Sequence, residues 1–508
     1  MFEQIKKQYK GRELIQTSRK LTGDVEKDAA VIAKILEEVL PLHRKNAEVE
    51  DKLFDVFFNS SDSWTKEKAQ REDINNKVTI GSAWAATRTI NSYCFGEPIK
   101  IVSRNTNEKE DKQSQVEILS EYLDIQHNHD ATIMATLCSS VCGLGYKLAL
   151  PSSAEEYDFT GVPFVINNKF IRPQDAFCVY STSIIGEKVL GVIIGKNIDE
   201  DGNDKGEKYT VWTTTHQYVF VEDGAKLKLK PFTIKGTTIP AYPTMIKRIP
   251  LIEVERNAFR KGDWEMCVDL FELKNRLTSN RIDDIEQIVD YVLVLINCGF
   301  EEEADKNNAL KDRLIQLKQE DPQNKPSIEI LKNALDQSGI QVFADYIDSL
   351  IDTTIGIPSR QERSGGGHDT GKAVVYRNGF RDLENNAGII IPKMDKAEME
   401  FLGVCIAYSH ASVEDRLDKL KTFDVRNKFT RSLSDDPISA STAYSTFRSA
   451  GMNDLDALIA SMAVTDPSEV HKNNVAADEE REAKEAKKLE EQQKTQQINK
   501  SKTAMDEQ

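Results

Sequence analysis

The residues with the sharpest chemical spacing are Gly366, Gly371 and Lys372, in the run GGHDTGK. They keep the G-x-x-x-x-G-K spacing of a phosphate-binding loop, in which backbone N–H groups cradle phosphates and the next Ser or Thr holds Mg²⁺. Here the next residue is Ala373, which has no hydroxyl, and the stretch before the loop, 340–356, reads as helix rather than buried strand. A P-loop-like ATPase is therefore the lesser reading beside a loop freed by glycine that makes contacts through charge. Cys138 and Cys142 lie one helical turn apart, but no further Cys or His falls at finger spacing, so packing is their expected role. His127 and His129 are two residues apart and cannot share a helical face. The segment 198–207, IDEDGNDKGE, has the acidic richness of a calcium loop. Its glycine falls at the fourth position and no glutamate closes the twelfth, so a polar hairpin turn is expected. No G-x-S-x-G occurs. Acidic pairs such as Asp283–Asp284 and Asp435–Asp436 arise by chance among 83 acidic residues, which leaves little support for a nuclease metal site. The residues thus predict no catalytic group, no metal and no cofactor.

A chain of 508 residues is too long for one core and predicts two to four structural units. Its charged fraction of 30% suits long, solvated helices more than a compact enzyme. The net charge of −16 excludes a protein that grips nucleic acid over its whole surface. Either nucleic acid is no partner, or it must not be held tightly. Seven cysteines without a CxxC pair argue against a disulfide framework and for a reducing compartment. The first residues, MFEQIKKQYKGRELI, lack the apolar region of a signal, and no run of apolar residues is long enough to span a membrane.

Residues 1–58 read as helix, with Val31, Ile32, Ile35, Leu36, Val39 and Leu40 forming a stripe that Pro41 is expected to interrupt. After a loop over 59–66, helix is expected over 73–95, capped by Asp73 or Asn75 and ended by Gly96 and Pro98. Further helices cover about 107–126 and 130–141, the latter closing at Gly143 or Gly145. From Tyr146 to about 256, runs such as AFCVYS, VLGVIIGKNI and KYTVWTTTHQYVFV predict an antiparallel β unit. An acidic helix follows over 261–290, then the apolar strand YVLVLINCG and a small polar unit to about 330. The next helix, over 331–356, is ended by Gly356 and Pro358. The segment 359–372 has almost no apolar residue. Residues 372–384 and 393–425 read as mostly helical, 437–463 as two short helices, and 476–508 as a solvated helix or disordered.

Taken in order, these segments resemble the portal protein family of long-tailed bacteriophages. DINNKVTIGSAWAATRTINSYCFGEPIKI is similar to the family's helix that ends in a glycine-proline turn before a strand. IRPQDAFCVYS, VLGVIIG and YTVWTTTHQYVF are similar to its β-rich wing. IPLIEVERNAFRKGDWEMCVDLFELKNRLTSNRIDDIE resembles the entry to its first stem helix, IPSRQERSGGGHDTGKAV its glycine-rich tunnel loop, and ISASTAYSTF the segment near its C-terminal helices. KAVVYR is bulkier than the small-residue helix start that usually follows that loop.

The resemblance implies an α+β, mainly helical subunit. Its parts would be a helical wing portion over 1–143, a β-rich wing over 144–260, stem helices over 261–290 and 331–358, and a small α/β clip over 291–330. A tunnel loop over 359–372, a long helix with wing and crown over 373–465 and a charged, disordered tail over 466–508 would complete it. The implied function is a non-enzymatic ring, expected to be dodecameric, at one capsid vertex of the virion, assembled in the host cytoplasm without a membrane. Double-stranded DNA would pass through it. Its partners would be the terminase large subunit, a head-completion adaptor, and the scaffolding and major capsid proteins. Arg360, Arg363 and Lys372 would touch DNA from a loop loosened by Gly365, Gly366 and Gly367. Asp283, Asp284 and Glu286 would line the channel and repel phosphate. Another structural phage head or baseplate protein is the alternative. A cellular scaffold with helical arms is disfavoured, because no repeat of 20–50 residues occurs.

Overall fold

The computed structural model describes residues 11–67, 74–104, 110–152, 161–199, 201–224, 226–234, 236–289, 292–296, 298–299, 318–319, 327–331, 337–358, 380–431, 437–461, 470–471, 474–475 and 477. The chain divides into two units, one of residues 1–365 with 376–432 and one of 366–375 with 433–508.

The larger unit opens with β1 (Gln16–Thr17) and α1 (Val25–Phe57), so the expected N-terminal helix begins later than the sequence suggested. Asp24 caps α1 by accepting the amides of Glu26 and Lys27 at 3.2 Å each. The stripe Ile32, Ile35, Leu36, Val39 and Leu40 is buried. Pro41 does not interrupt the helix, which continues to Phe57. An interior proline costs about 3 kcal/mol. Burial of Val49, Leu53, Phe54, Val56 and Phe57 beyond it, at roughly 1.5–3 kcal/mol per large side chain, outweighs that loss.

Next come α2 (Ser82–Phe95), β2 (Lys100–Ser103), α3 (Glu110–Ile125) and α4 (Asn128–Cys142). The helix expected from residue 73 begins only at Ser82, and residues 75–80 have no regular secondary structure. Gly143, at φ +86°, closes α4. A side chain there would also place its Cβ 2.3 Å from the Arg260 backbone, so both the turn and the close approach require glycine.

The β region comprises β3 (Leu144–Pro151), β4 (Phe164–Ile166), β5 (Ala176–Ser181), β6 (Lys188–Ile198), β7 (Asp204–Trp212), β8 (His216–Asp223), β9 (Lys226–Leu229), β10 (Phe232–Ile234), β11 (Thr237–Ile239), β12 (Tyr242–Pro243) and β13 (Leu251–Glu255). A seven-stranded sheet runs in the order β1-β5-β6-β7-β8-β12, with β9 also on β8. Only the β1–β5 pair in it is parallel. The β6–β7 turn is the polar hairpin read from 198–207: the Asp199 carboxylate accepts the Asn203 amide at 2.7 Å and pairs with Lys205 at 3.0 Å.

Side chains alternate across this sheet as the strand period of two requires. Phe177 and Val179 join Leu190, Val192, Tyr209 and Val211 against α1. Ala176 and Cys178, one residue out of phase, join Trp212 against Tyr146, Leu148 and Leu251 of a second sheet, β13-β3-β4. The layers are therefore α1, the seven-stranded sheet and the three-stranded sheet, with α4 packed on β3.

Beyond β13 the unit continues with α5 (Val268–Val289), β14 (Val292–Ile296), β15 (Cys298–Gly299), β16 (Lys318–Gln319), β17 (Ser327–Leu331), α6 (Gln337–Ile355), α7 (Phe380–Ala411) and β18 (Val425–Lys428). β14 pairs antiparallel with β17, β15 with β16, and β18 with β2. α7 passes through Pro392 and packs on β13 and β3. The smaller unit contains α8 (Pro437–Ser449) and α9 (Asp454–Ser461), the two short helices expected there. The Tyr444 hydroxyl donates to Asp454 at 2.5 Å and links them. The architecture is mixed α+β. Among the described residues no helix is long and apolar enough to cross a membrane.

Candidate functional site

Arg360, Arg363, Gly365, Gly366, Gly367 and Lys372, the expected DNA-contacting loop, lie outside the described residues. The expected acidic wall, on α5, lies within them. One face of α5 is tied to α6: Lys274 meets Asp348 at 2.6 Å, and Arg281 donates to Gln341 at 2.8 Å. A second face carries Asn275, Ser279 and Asp283, spaced by four and so stacked one above another. Their side chains accept the amides of Ile80, Val78 and Asn76 at 2.9, 2.9 and 2.8 Å. Two residues of extended chain rise about 6.6 Å and four residues of helix about 6 Å. Alternate amides therefore meet successive turns. These bonds give 76–80 an alternative to helical hydrogen bonding, and α2 starts only after them.

Asp283 does not present a free charge to solvent. Its second oxygen lies 2.7 Å from Lys66 Nζ, and the two side chains are 3% and 4% exposed. Asp284 is half-buried and Glu286 is exposed, the latter accepting from Asn76 Nδ2 at 2.8 Å. The three carboxylates read together in the sequence thus separate, Asp283 turning inward because a buried ammonium neutralises it there. Lys66 and Asn76 were not singled out from sequence. The available signal was the polar stripe at 275, 279 and 283 on an otherwise amphipathic helix. Asp283→Ala leaves the Lys66 ammonium buried without a counter-charge and is expected to cost about 3–5 kcal/mol. In hydrogen exchange the Asn76 amide loses protection first, while Val78 and Ile80 keep their acceptors.

A second set of charges lies inside the layers. Lys147 Nζ is 2.6 Å from Glu398, 2.8 Å from Asn128 Oδ1, 3.0 Å from Thr132 Oγ1 and 4.1 Å from the centre of the Phe401 ring. Arg256 pairs with Asp263 at 2.5 Å, Arg260 with Glu253 at 3.0 Å, and Arg12 with Glu265. The Tyr146 and Tyr180 hydroxyls donate to Glu253 at 3.1 and 3.2 Å. Glu50 is buried nearby; burial pushes its carboxyl up to about 7, with Arg12 and Arg260 pulling the other way. The Lys147–Glu398 and Arg12–Glu265 pairs join segments distant in sequence, 251 and 253 residues apart, whereas the Arg256–Asp263 and Arg260–Glu253 pairs close over seven residues each.

Among the described residues the thiols are not activated. Burial pushes Cys94 and Cys267 up to about 11 and Cys178 up to about 12, and raises Cys138, Cys142 and Cys405 further. Among the described residues no cluster of His, Cys, Asp and Glu is arranged to hold a metal.

What the described residues offer is a helix braced on two sides, a β pair between two helices, and an interior of paired charges. No curated protein matches the chain. The family model described as phage portal protein, SPP1 Gp6-like, matches residues 2–499, nearly the whole length. The chain therefore belongs to the phage portal protein family, of the SPP1 Gp6-like type, and functions as a portal protein.

Proposed function

We propose that the subunits close into a dodecameric ring at one capsid vertex, through which double-stranded DNA is packaged and ejected. The observation that carries the internal assignment is the order α5, β14, β15, β16, β17, α6. Two helices flank two nested antiparallel β pairs, β14–β17 with Val292 opposite Leu331 and β15–β16 with Cys298 opposite Gln319. α5 and α6 act as the stem helices, and the segment 291–330 acts as the clip that docks the terminase large subunit during packaging and the head-completion adaptor afterwards. The β-rich layers over 144–260 form the wing, and the residues after α7 contribute the crown. Scaffolding and major capsid proteins meet the outer surface, and assembly takes place in the host cytoplasm.

The family is structural, and the energy for DNA movement comes from the separate motor ATPase. The subunit's task is to let DNA slide. A net charge of −16 keeps non-specific phosphate affinity low. On α5, Asp284 and Glu286 serve as the wall carboxylates, and Asp283 braces the helix from behind. Arg360, Arg363 and Lys372 supply the local grip. A loop of this length reaches roughly 20 Å, at about 3.3 Å per residue along each arm.

Electron microscopy of the purified protein tests the ring. A particle with an axial hole about as wide as a duplex is expected, and a monodisperse monomer at micromolar concentration and moderate salt overturns the reading. Replacing Arg360, Arg363 and Lys372 together with Ala is expected to leave rings intact and lower packaged DNA roughly tenfold or more. Each lost charged contact to phosphate is worth on the order of 1 kcal/mol. Normal packaging by that variant would remove the loop from the mechanism.

A further inference from the structure

Two exposed apolar features are left unused by the fold. The first is a groove of about 180 Å³ between the C-terminal end of α1, α2 and α4, lined by Phe57, Trp84, Phe95 and Ile133 with Arg88 and Asn91. Trp84 is 49% exposed. Arg88 on the same helix is exposed. The groove therefore offers an apolar floor and a cation.

The second feature is the turn between β5 and β6. Turn tips are ordinarily built from polar residues. Here Ile184 is fully exposed and Ile185 is 83% exposed. The turn is a defined one: the Gly186 amide donates to the Ser183 carbonyl at 3.0 Å, and Gly186 takes φ +64°. Glu187, beside the two isoleucines, is exposed. This turn offers an apolar knob and an anion.

A ring closed by head-to-tail contacts needs two different and complementary patches on every copy. The knob and the groove share no residue and no element, and they are complementary in apolar surface and in charge. We propose that Ile184 and Ile185 of one copy seat in the Phe57–Trp84–Phe95 groove of the next, with Glu187 meeting Arg88. The occupant of the groove is a second copy of this chain, so the inference rests on the ring reading above and specifies one of its contacts.

The test uses the full-length chain and the fraction of rings measured by sedimentation and negative-stain microscopy. Ile184→Asp with Ile185→Asp alters only exposed side chains. It is expected to leave the melting curve unchanged and lower the ring fraction at least tenfold. Arg88→Glu has the same effect, and adding Glu187→Arg to it restores rings. Mixing the knob variant with Arg88→Glu leaves one intact knob and one intact groove per pair, so a dimer forms and nothing larger. Wild-type ring yield from the knob variant overturns the proposal while the ring reading stands. So does a knob variant whose rings form but fail to join capsids, which would give the turn a capsid partner instead. Failure of the charge swap to restore rings removes the Glu187–Arg88 contact. A wild-type chain that forms no rings overturns the ring reading itself.

Discussion

Replacing Glu398 with Ala is expected to destabilise the larger unit by about 3–5 kcal/mol, because it strands the Lys147 ammonium in the interior. Both side chains are almost wholly buried, at 0% and 2% exposure. Asn128, Thr132 and the Phe401 ring would remain around the ammonium, but none of them carries a negative charge. Neutral acceptors and a ring face return only part of what the carboxylate supplies. Replacing the pair together, Lys147→Met with Glu398→Leu, is expected to be near neutral or stabilising by about 1–4 kcal/mol, since both desolvation costs vanish at once. Urea denaturation of the single and double variants measures this. A Glu398→Ala variant within about 1 kcal/mol of wild type would refute the claim of an uncompensated buried charge.

Glu50→Gln is expected to change how stability depends on pH. The carboxyl is pushed up to about 7 from an ordinary 4.5, with burial the largest cause. The folded state therefore holds this proton more tightly than the unfolded chain. Its contribution is fully present below about pH 4.5 and is lost as pH rises through about 7. The difference amounts to about 3 kcal/mol between those limits. Glutamine keeps the shape and cannot ionise. The variant should match wild type near pH 4.5 and exceed it by roughly that amount at pH 8. Subtracting the two denaturation curves at each pH cancels every other titrating group. A flat difference across the window would show that Arg12 and Arg260 hold Glu50 ionised throughout.

The features legible in the sequence were those written locally. The stripe from Ile32 to Leu40, the glycine closing α4, the β character of AFCVYS and the polar turn within 198–207 each follow from neighbours within a few residues. The misreadings share one cause, which is distance along the chain. Nothing near Pro41 announces that burial on both sides of it will hold the helix straight through. Nothing near residue 75 announces that Asn275, Ser279 and Asp283 will take its amides. Lys147 and Glu398 are 251 residues apart, and no periodicity links them. The site was legible in its family resemblance more than in its chemistry. A sliding channel needs no sharply spaced constellation, and the inward turn of Asp283 depends on Lys66, which lies 217 residues before it.

The clasp of 76–80 on α5 carries a mechanical consequence. Amides two residues apart grip side chains four residues apart, so the two segments fit only in discrete registers, like teeth on a rack. A slip of less than about 6 Å, one repeat, frees every amide from its acceptor at once and has no halfway state to rest in. A push along α5 is then expected to be carried by these three bonds together. It is expected to reach α2 through Ile80, which lies two residues before that helix's first residue, Ser82.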